Sequence, residues 1–266
     1  MKRNLRVMIT GACGGLGRVL AGECARRGYW LFLTDIRQPD LDTLAQGLAR
    51  RFGARADTWA CDLTDDAAVN GLFAFIDARG LAFDMLLNVA GIDFEGGFLQ
   101  RERQRLLDIV SLNIEATLRV THAMLTRRRQ GVPFYLVFVS SLASLYPMPL
   151  KATYAASKRF LLDFSIALRQ ELRGEGVRVL ALCPGGLATT AEAMRGIAAQ
   201  GVWGQVTTNR LERVARRTVD KALANRAVYI PGAINRLLAR CGRLAPAGLV
   251  AALLHRRWQA ARGHSY

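Results

Sequence analysis

Residues 5–17 read LRVMITGACGGLG, an apolar run that ends at a threonine and is followed by four glycines in seven positions. Each glycine inside a helix costs up to about 1 kcal/mol relative to alanine, so helix stability does not explain them. Glycines permit a tight turn, close approach of the backbone to a diphosphate, and free amides at a helix N-terminus. The pattern Thr-Gly-x-x-x-Gly-x-Gly, with Gly11, Gly15, Leu16 and Gly17, therefore predicts a strand, a nucleotide-binding turn and a helix.

Strands and helices alternate along the rest of the chain. The predicted strands are Leu5–Thr10, Trp30–Asp35, Ala56–Cys61, Phe83–Asn88, Phe134–Ser141, Val177–Cys183 and Ala227–Ile230. The segments with helical period are Leu16–Arg27, Leu41–Phe52, Ala67–Ala78, Arg101–Thr126, Tyr154–Leu172 and Arg210–Ala224. Most strands are apolar on successive residues, as expected where helices cover both faces of a parallel sheet. The order predicts an α/β fold with a doubly wound, seven-stranded parallel sheet and a site at the carboxyl ends of its strands.

Asp35 ends the second predicted strand, 18 residues after Gly17. At that position a carboxylate accepts hydrogen bonds from an adenosine ribose. The same carboxylate would repel a ribose 2′-phosphate, and no lysine or arginine lies within the glycine loop. Arg37 could favour the phosphate. The sequence favours NAD as the cofactor and leaves NADP as the alternative.

Tyr154 and Lys158 lie one helical turn apart in the stretch YAASK, and Ser141 ends the fifth predicted strand. Residues i and i+4 share a helix face. An ammonium beside a buried phenol favours the phenolate, so Tyr154 could act as an acid or base nearer neutral pH. Taken alone, the two residues are more often a surface pair on a helix.

Together with motifs elsewhere, these residues make the chain similar to the short-chain dehydrogenase/reductases over roughly Leu5–Gly232. The motifs, in order, are Thr10–Gly17, Asp62-Leu63, Asn88-Val89-Ala90-Gly91, Asn113, Ser141, Tyr154 with Lys158, and Pro184–Thr189. Val89 replaces the second asparagine that is commoner in the family. The resemblance implies a Rossmann fold and hydride transfer between a nicotinamide cofactor and a small alcohol or carbonyl compound. A nucleotide-sensing or structural role is the alternative.

The resemblance also implies a role for each matched residue. Tyr154 would be the acid/base, Ser141 would position the substrate oxygen, and Asn113 would support a water in the proton relay. Lys158 would lower the pKa of Tyr154 and hold the nicotinamide ribose. Ser141 is preferred to Ser140 because it lies 13 residues before Tyr154, the usual family spacing. The implied cofactor contacts are Gly11, Gly15, Leu16, Gly17, Asp35, Asp62, Leu63, Asn88, Ala90, Gly91, Tyr154, Lys158, Pro184, Gly185, Leu187 and Thr189.

The composition excludes several classes of protein. Of 266 residues, 51% are hydrophobic and 22% charged, which excludes a disordered or fibrous chain. No apolar stretch approaches the roughly 20 residues of a membrane-spanning helix, and the N-terminus does not resemble a secretory signal. Five scattered cysteines without ligand spacing predict reduced thiols and no metal site. We therefore expect a cytoplasmic protein.

The net charge of +16 is concentrated near the C-terminus, where residues 210–266 hold twelve basic and two acidic residues. The chain shows neither interleaved surface aromatics nor a known nucleic-acid module, so nucleic-acid binding is not expected. Residues 1–232 are predicted as the dehydrogenase domain and residues 233–266 as a helical C-terminal extension.

The extension carries apolar stripes beside arginines. The stripe residues are Ile234, Leu237, Leu238 and Cys241, then Leu249, Val250, Leu253, Leu254 and Trp258. Such helices resemble interfacial membrane anchors. Two interpretations remain: peripheral contact with a membrane surface, or packing over the active-site mouth or a neighbouring subunit.

Substrate identity is expected to depend on residues Ile92–Leu99, Leu142–Lys151 and Thr190–Thr208. Their apolar residues suit a lipophilic ketone or alcohol, or else pack on the domain. These residues are Leu142, Leu145, Tyr146, Met148, Leu150, Met194, Ile197, Val202 and Trp203. Asp93 and Glu95 are expected either as solvated carboxylates or as charges that disfavour acidic substrates.

Assembly is expected through two long helices, Arg101–Thr126 and Tyr154–Leu172, whose counterparts in the family pair across a two-fold axis. The expected interface residues are Ile109, Val110, Leu112, Phe160, Leu161 and Phe164. A homodimer or homotetramer is therefore predicted.

Overall fold

The computed structural model describes residues 4–188, 194 and 206–262, with the side chains of 243–244 and 257–262 left aside. Within that part of the chain, seven parallel strands form one sheet in the order β3-β2-β1-β4-β5-β6-β7. The strands are β1 Arg6–Thr10, β2 Trp30–Asp35, β3 Ala56–Ala60, β4 Met85–Asn88, β5 Phe134–Val139, β6 Val177–Leu182 and β7 Val228–Tyr229. The predicted doubly wound sheet is confirmed. Because the order reverses between β1 and β4, a crevice opens at their carboxyl ends.

Helices lie along both faces of the sheet. They are α1 Gly15–Arg26, α2 Gln38–Phe52, α3 Asp66–Ala78, α4 Arg103–Val110, α5 Ala116–Leu125, α6 Ala152–Glu171, α7 Leu211–Leu223, α8 Ala233–Leu244 and α9 Ala247–Arg262. The prediction of one helix over Arg101–Thr126 was wrong in one respect. A π-helical turn, Ser111–Glu115, separates α4 from α5.

The strand residues divide between two cores, which explains their continuous apolar character. Val7 and Ile9 of β1 pack with α1, α2 and α7 on one face of the sheet. Met8 packs with α3, α5 and α6 on the other face. All three side chains are fully buried, so the successive central residues of the strand are all apolar.

Helix α8 packs on the protein through a different face from the predicted stripe. Asn235 and Ala239 are buried, and a Cβ added to Gly242 would lie 2.9 Å from the Tyr146 ring. Ile234 and Leu237 are exposed instead, with 61% of Leu237 accessible. Small and polar side chains at i, i+4 and i+7 let α8 approach the short 3₁₀ helix Leu142–Leu145 closely. Of the second predicted stripe, the side chain of Trp258 lies outside the described residues.

Candidate active site

The glycine loop joins β1 to α1 through close backbone contacts. Gly11 has φ +61°, and a Cβ there would lie 2.7 Å from Ala90 Cα. A Cβ on Gly17 would lie 2.1 Å from the Gly11 carbonyl oxygen. Helix α1 begins with neither a side-chain cap nor an acidic residue in its first turn. Its exposed N–H dipoles therefore suit an anionic group such as a diphosphate.

Asp35 is held against this loop at the end of β2. Its carboxylate oxygens accept hydrogen bonds from the Cys13 and Ile36 amides, both at 2.8 Å. Arg37 forms an ion pair with Asp40. Sequence reasoning missed Arg18, whose Nε donates to the Cys13 carbonyl oxygen at 2.6 Å and so brings a cation to the loop. Its position one residue after Gly17 was the available signal.

Next along the sheet edge, Asp62 and Leu63 follow β3. The Asp62 carboxylate accepts hydrogen bonds from the Thr64 amide and hydroxyl, at 2.9 and 2.6 Å. The Leu63 side chain is buried, and its carbonyl oxygen accepts a hydrogen bond from Arg119. Both predicted residues thus lie at the carboxyl edge of the sheet.

Polar contacts join the ends of β1 and β4 at the crevice between them. Thr10 Oγ1 accepts hydrogen bonds from the Val89 and Ala90 amides at 3.1 and 3.2 Å. The buried Asn88 side chain donates to Thr121 Oγ1 at 3.0 Å. These bonds fix the backbone that leads from β4 to Gly91.

Gly91 is the point where Asn113 and Lys158 meet. A Cβ there would lie 2.8 Å from Asn113 Oδ1 and 3.1 Å from Lys158 Nζ. Asn113, fully buried in the π-turn, accepts from the Ile92 amide at 2.9 Å and donates to the Ile92 carbonyl oxygen at 3.0 Å. Its amide also donates to Ser157 Oγ at 3.0 Å. The Asn113 side chain therefore has protein partners for both of its N–H groups.

Ser157 was missed in the sequence. Its hydroxyl donates to the Tyr154 carbonyl oxygen at 2.8 Å and accepts from Asn113, so it ties α6 to the π-turn. Ser157 is buried in the structure. The only signal in the sequence was its position directly before Lys158.

Tyr154, Lys158 and Ser141 converge beside this cluster. Lys158 Nζ lies 5.7 Å from the centre of the Tyr154 ring and donates to the Val139 carbonyl oxygen at 3.0 Å. Ser141 lies beyond the end of β5, not within it as predicted, and its hydroxyl accepts from the Ala143 amide. Ser140 is buried and donates to the Lys158 carbonyl oxygen. Ser140 is thus engaged elsewhere, which supports the choice of Ser141.

The electrostatics of the pair are dominated by burial. Burial raises the pKa of the Tyr154 phenol above its usual value, and the Asp93 carboxylate raises it further, while hydrogen bonding to Ser141 lowers it. Burial lowers the pKa of Lys158 to about 8, against a smaller raising effect of Asp93. The expected depression of the Tyr154 pKa by Lys158 is therefore not the net effect in this structure, because desolvation penalises both charged forms.

The loop after β6 lies across from Ser141. The Pro184 carbonyl oxygen accepts a hydrogen bond from the Leu142 amide at 2.7 Å. The Gly185 amide donates to Asn209 Oδ1 at 3.1 Å, and Leu187 forms a parallel bridge with Asn209. Thr189, the last predicted contact of this motif, lies outside the described residues, as do Ile197, Val202 and Trp203.

Asn235 of α8, also missed in the sequence, supports this loop from behind. Its Nδ2 donates to the Thr207 and Pro231 carbonyl oxygens at 3.0 and 2.9 Å. A Cβ on Gly185 would lie 2.7 Å from the same nitrogen. The first helix of the extension is therefore part of the wall of the candidate site.

Comparison with known proteins identifies the family. Residues 6–198 match the family model described as short chain dehydrogenase. The chain belongs to the short-chain dehydrogenase family. It is 36% identical over 186 residues to the Neurospora crassa protein named very-long-chain 3-oxoacyl-CoA reductase, covering 67% of this chain and 54% of that protein. It spans about half the length of the first curated relatives that it matches.

Two solved structures are also similar to this dehydrogenase. The short-chain dehydrogenase from Sphingobium yanoikuyae in complex with NADPH has a TM-score of 0.72 and 26% identity, covering 90% of this chain and 92% of that one. The 3-oxoacyl-[acyl-carrier protein] reductase from Brucella melitensis with bound NAD has a TM-score of 0.72 and 25% identity, covering 86% and 90%. These two neighbours therefore hold different nicotinamide cofactors, NADPH in one and NAD in the other.

At the mouth of the dehydrogenase site, Lys151 forms an ion pair with Asp93 and lies 3.7 Å from Glu95. Its Nζ is 5.7 Å from the centre of the Tyr154 ring. The two carboxylates are therefore paired rather than merely solvated.

No group of three or more histidine, cysteine or carboxylate side chains that could hold a metal occurs among the described residues. Among the same residues, no helix has the length and apolar character needed to cross a membrane.

Proposed function

We propose that this dehydrogenase interconverts a secondary alcohol and a carbonyl compound, with Tyr154 as the general acid/base. The observation that carries the proposal is the convergence of Ser141, Tyr154 and Lys158 beside the glycine-lined crevice. A protein that only senses or binds the nucleotide has no need for a phenol and an ammonium brought together at this edge of the sheet.

The residues of the crevice fit a nicotinamide dinucleotide. Gly11 and Gly17 let the loop backbone pack closely against Ala90 and against itself, and the open N-terminus of α1 suits the diphosphate. Asp35 would hold the adenosine ribose, Asp62 and Leu63 would contact the adenine, and Lys158 would hold the nicotinamide ribose. The remaining expected contacts are Gly15, Leu16, Asn88, Ala90, Gly91, Tyr154, Pro184, Gly185, Leu187 and Thr189.

The bound nicotinamide supplies or accepts the hydride. In the reducing direction Tyr154 donates its phenolic proton to the substrate oxygen, and in the oxidising direction its phenolate accepts the proton of the alcohol. Ser141 hydrogen-bonds the same oxygen and holds it within reach of the phenol. The ammonium of Lys158 stabilises the phenolate as it forms. Asn113 holds the π-turn next to Gly91. Through its hydrogen bond to Ser157, it also holds the turn of α6 that carries Tyr154.

The substrate is proposed to be lipophilic. Leu142 and Leu145 are buried against α8 and belong to the protein interior, in agreement with the alternative that these residues pack on the domain. The half-buried Tyr146, Met148 and Leu150 supply the apolar character of this segment. A relative named for a very-long-chain 3-oxoacyl thioester supports reduction of a carbonyl attached to an aliphatic chain.

The test is a spectrophotometric assay of nicotinamide oxidation with ketones of increasing chain length and with 3-oxoacyl thioesters. We expect turnover that rises with the length of the aliphatic chain. A protein that binds the cofactor tightly and turns over none of these compounds would instead support the sensing role.

For the cofactor, we propose NAD rather than NADP because the Asp35 carboxylate is held against the glycine loop, with one oxygen bound to the Cys13 amide and the other to the Ile36 amide. Arg18 weakens the argument by placing a cation at the loop, but it lies one residue outside the glycine pattern and bonds a carbonyl oxygen. The negative charge of Asp35 would then repel the ribose 2′-phosphate of NADP at close range.

The variant Asp35→Asn tests this choice, since its amide oxygen can still accept from the Cys13 amide. We expect the ratio of NADP to NAD dissociation constants to fall by about tenfold, equivalent to about 1.4 kcal/mol, in fluorescence titrations. Asp163→Asn, an exposed residue of α6 paired with Arg159, removes the same charge elsewhere and should leave the ratio unchanged. Equal affinities in the unmodified protein would contradict the proposal.

The proposed assembly is a homodimer or homotetramer, as is typical of the family. The structure revises the expected interface, because Ile109 and Leu161 are buried within the chain. Leu107 of α4 and Phe160 of α6 remain exposed and supply the apolar surface. A monomeric mass in light scattering at micromolar concentration would count against this assembly.

A further inference from the structure

A groove between α7 and α8 carries an unusual concentration of positive charge. It has a volume of about 780 Å³, and none of the lining residues that the structure describes is acidic. Its five basic residues, here called the basic groove, are Arg210, Arg213, Arg217, Lys221 and Arg236. In the described part of the chain these side chains form no ion pair, whereas Arg27 and Arg129 elsewhere are paired with carboxylates.

The basic side chains share the groove with one partly buried phenol, Tyr229. Burial raises the pKa of Tyr229 above its usual value, Arg217, Arg213 and Arg236 lower it, and Asp220 raises it. Because the three arginines line the same groove, it presents several guanidinium groups to a single region of solvent.

The exposed apolar residues of α8 and α9 are here called the apolar ridge, and Arg236 of the basic groove lies on the same helix as the first of them. Its members on α8 are Ile234, Leu237 and Cys241, spaced three and four residues apart, and those on α9 are Leu249 and Leu253. Leu237 is 61% exposed and Leu253 57%. Because Asn235, Ala239 and Gly242 hold the opposite face of α8 against the protein, the helix cannot turn its apolar side inward.

Charge decides what can cover this ridge. Residues 233–266 contain six arginines and no aspartate or glutamate. A second copy of the chain would bring the same positive charge to the contact, and like charges disfavour that pairing. An anionic bilayer offers phosphates to the arginines and an apolar layer to the leucines at once.

We propose that the basic groove and the apolar ridge together form a docking surface for an anionic phospholipid bilayer. The ridge inserts among the acyl chains at the interface, and the groove binds the lipid phosphates. This surface does not depend on the proposed catalytic activity, because none of its residues belongs to the site around Tyr154.

The experiment is co-sedimentation of the full chain with vesicles, either phosphatidylcholine alone or an equal mixture with phosphatidylglycerol. We expect at least about tenfold tighter partitioning onto the anionic vesicles, falling steeply with added salt. Equal partitioning onto both vesicles, or onto neither, would overturn the proposal. Point variants are used because truncation after Gly232 would also remove Asn235 from the candidate site.

Two double variants separate the two parts of the surface. Arg213→Gln with Arg217→Gln should weaken partitioning by up to about thirtyfold, since each cation near an anionic surface contributes up to about 1 kcal/mol. Leu237→Ser with Leu253→Ser should weaken it by about tenfold or more through lost insertion. Unchanged partitioning in the leucine variant would show adsorption by charge alone and contradict the inserted ridge.

The matched controls lie away from the surface. Arg55→Gln with Arg173→Gln removes the same charge next to the amino-terminal ends of β3 and β6, and Leu99→Ser removes a leucine that is 96% exposed. Both should partition as the unmodified chain does, and an equal loss in control and test variants would overturn the proposal. If the leucine variant instead changes the mass in light scattering and leaves vesicle binding intact, the ridge is an interface between copies.

Discussion

Replacing Tyr154 with phenylalanine should lower kcat between about a hundredfold and ten-thousandfold, the range typical of a lost general acid or base. The substitution keeps the ring and its packing on α6 and removes only the hydroxyl near Ser141. Cofactor affinity, measured by fluorescence titration, should change by less than about threefold, because the glycine cradle and Asp35 are untouched. The loss would then fall on proton transfer alone.

Tyr135→Phe is the matched control, at a buried tyrosine of β5 whose hydroxyl accepts a 3.4 Å hydrogen bond from Arg178. Its kcat should stay near that of the unmodified enzyme. If Tyr154→Phe retains more than about a tenth of the original kcat, a loss of less than about 1.4 kcal/mol, Tyr154 is not the acid/base.

Replacing Lys158 with methionine should lower kcat by about a hundredfold, because no ammonium then stabilises the phenolate. The same substitution should change how stability depends on pH. Burial lowers the pKa of Lys158 in the folded chain to about 8, from a usual value of 10.5. Between these values the unfolded chain binds the proton more tightly than the folded chain, so the unmodified protein gains stability as pH rises through that window.

Methionine does not titrate, so the variant lacks this gain. Thermal unfolding should be measured for both proteins near pH 7 and about pH 10. The unmodified protein should be more stable relative to the variant at the higher pH than at the lower one. Lys221→Met, on α7 and outside the site, is the control for loss of a lysine. A stability difference that is the same at both pH values would show that Lys158 is not a desolvated ammonium.

Most of the sheet could be predicted closely from the sequence because its central strands are buried on both faces. A residue such as Met8, with helices on either side of its strand, must be apolar, and such apolar runs mark these strands. The edge strands β3 and β7 are only partly buried, and β3 includes Asp57 and Thr58. The π-turn could not be predicted in this way. It changes backbone hydrogen bonds over Ser111–Glu115 without breaking the apolar pattern of the helices on either side.

The predicted site residues come from local motifs, whereas the residues that hold them in place depend on distant contacts. Ser157 acts through Asn113, 44 positions away, and Asn235 acts through Thr207, 28 positions away. Neither residue belongs to a recognisable pattern. The apolar stripe of α8 was expected either to contact a membrane surface or to pack on protein, whereas the packing face of α8 consists of Asn235, Ala239 and Gly242.

The π-turn that carries Asn113 holds one more residue than an α-helical turn would need. Deleting a single residue from Ser111–Glu115 would let α4 and α5 run as one regular helix with their outer turns nearly in register, because the π-turn absorbs that residue. The residues inside the turn would shift instead, and Asn113 would lose its place between Ile92 and Ser157. This short stretch should therefore reject the single deletions that surface loops of similar length tolerate.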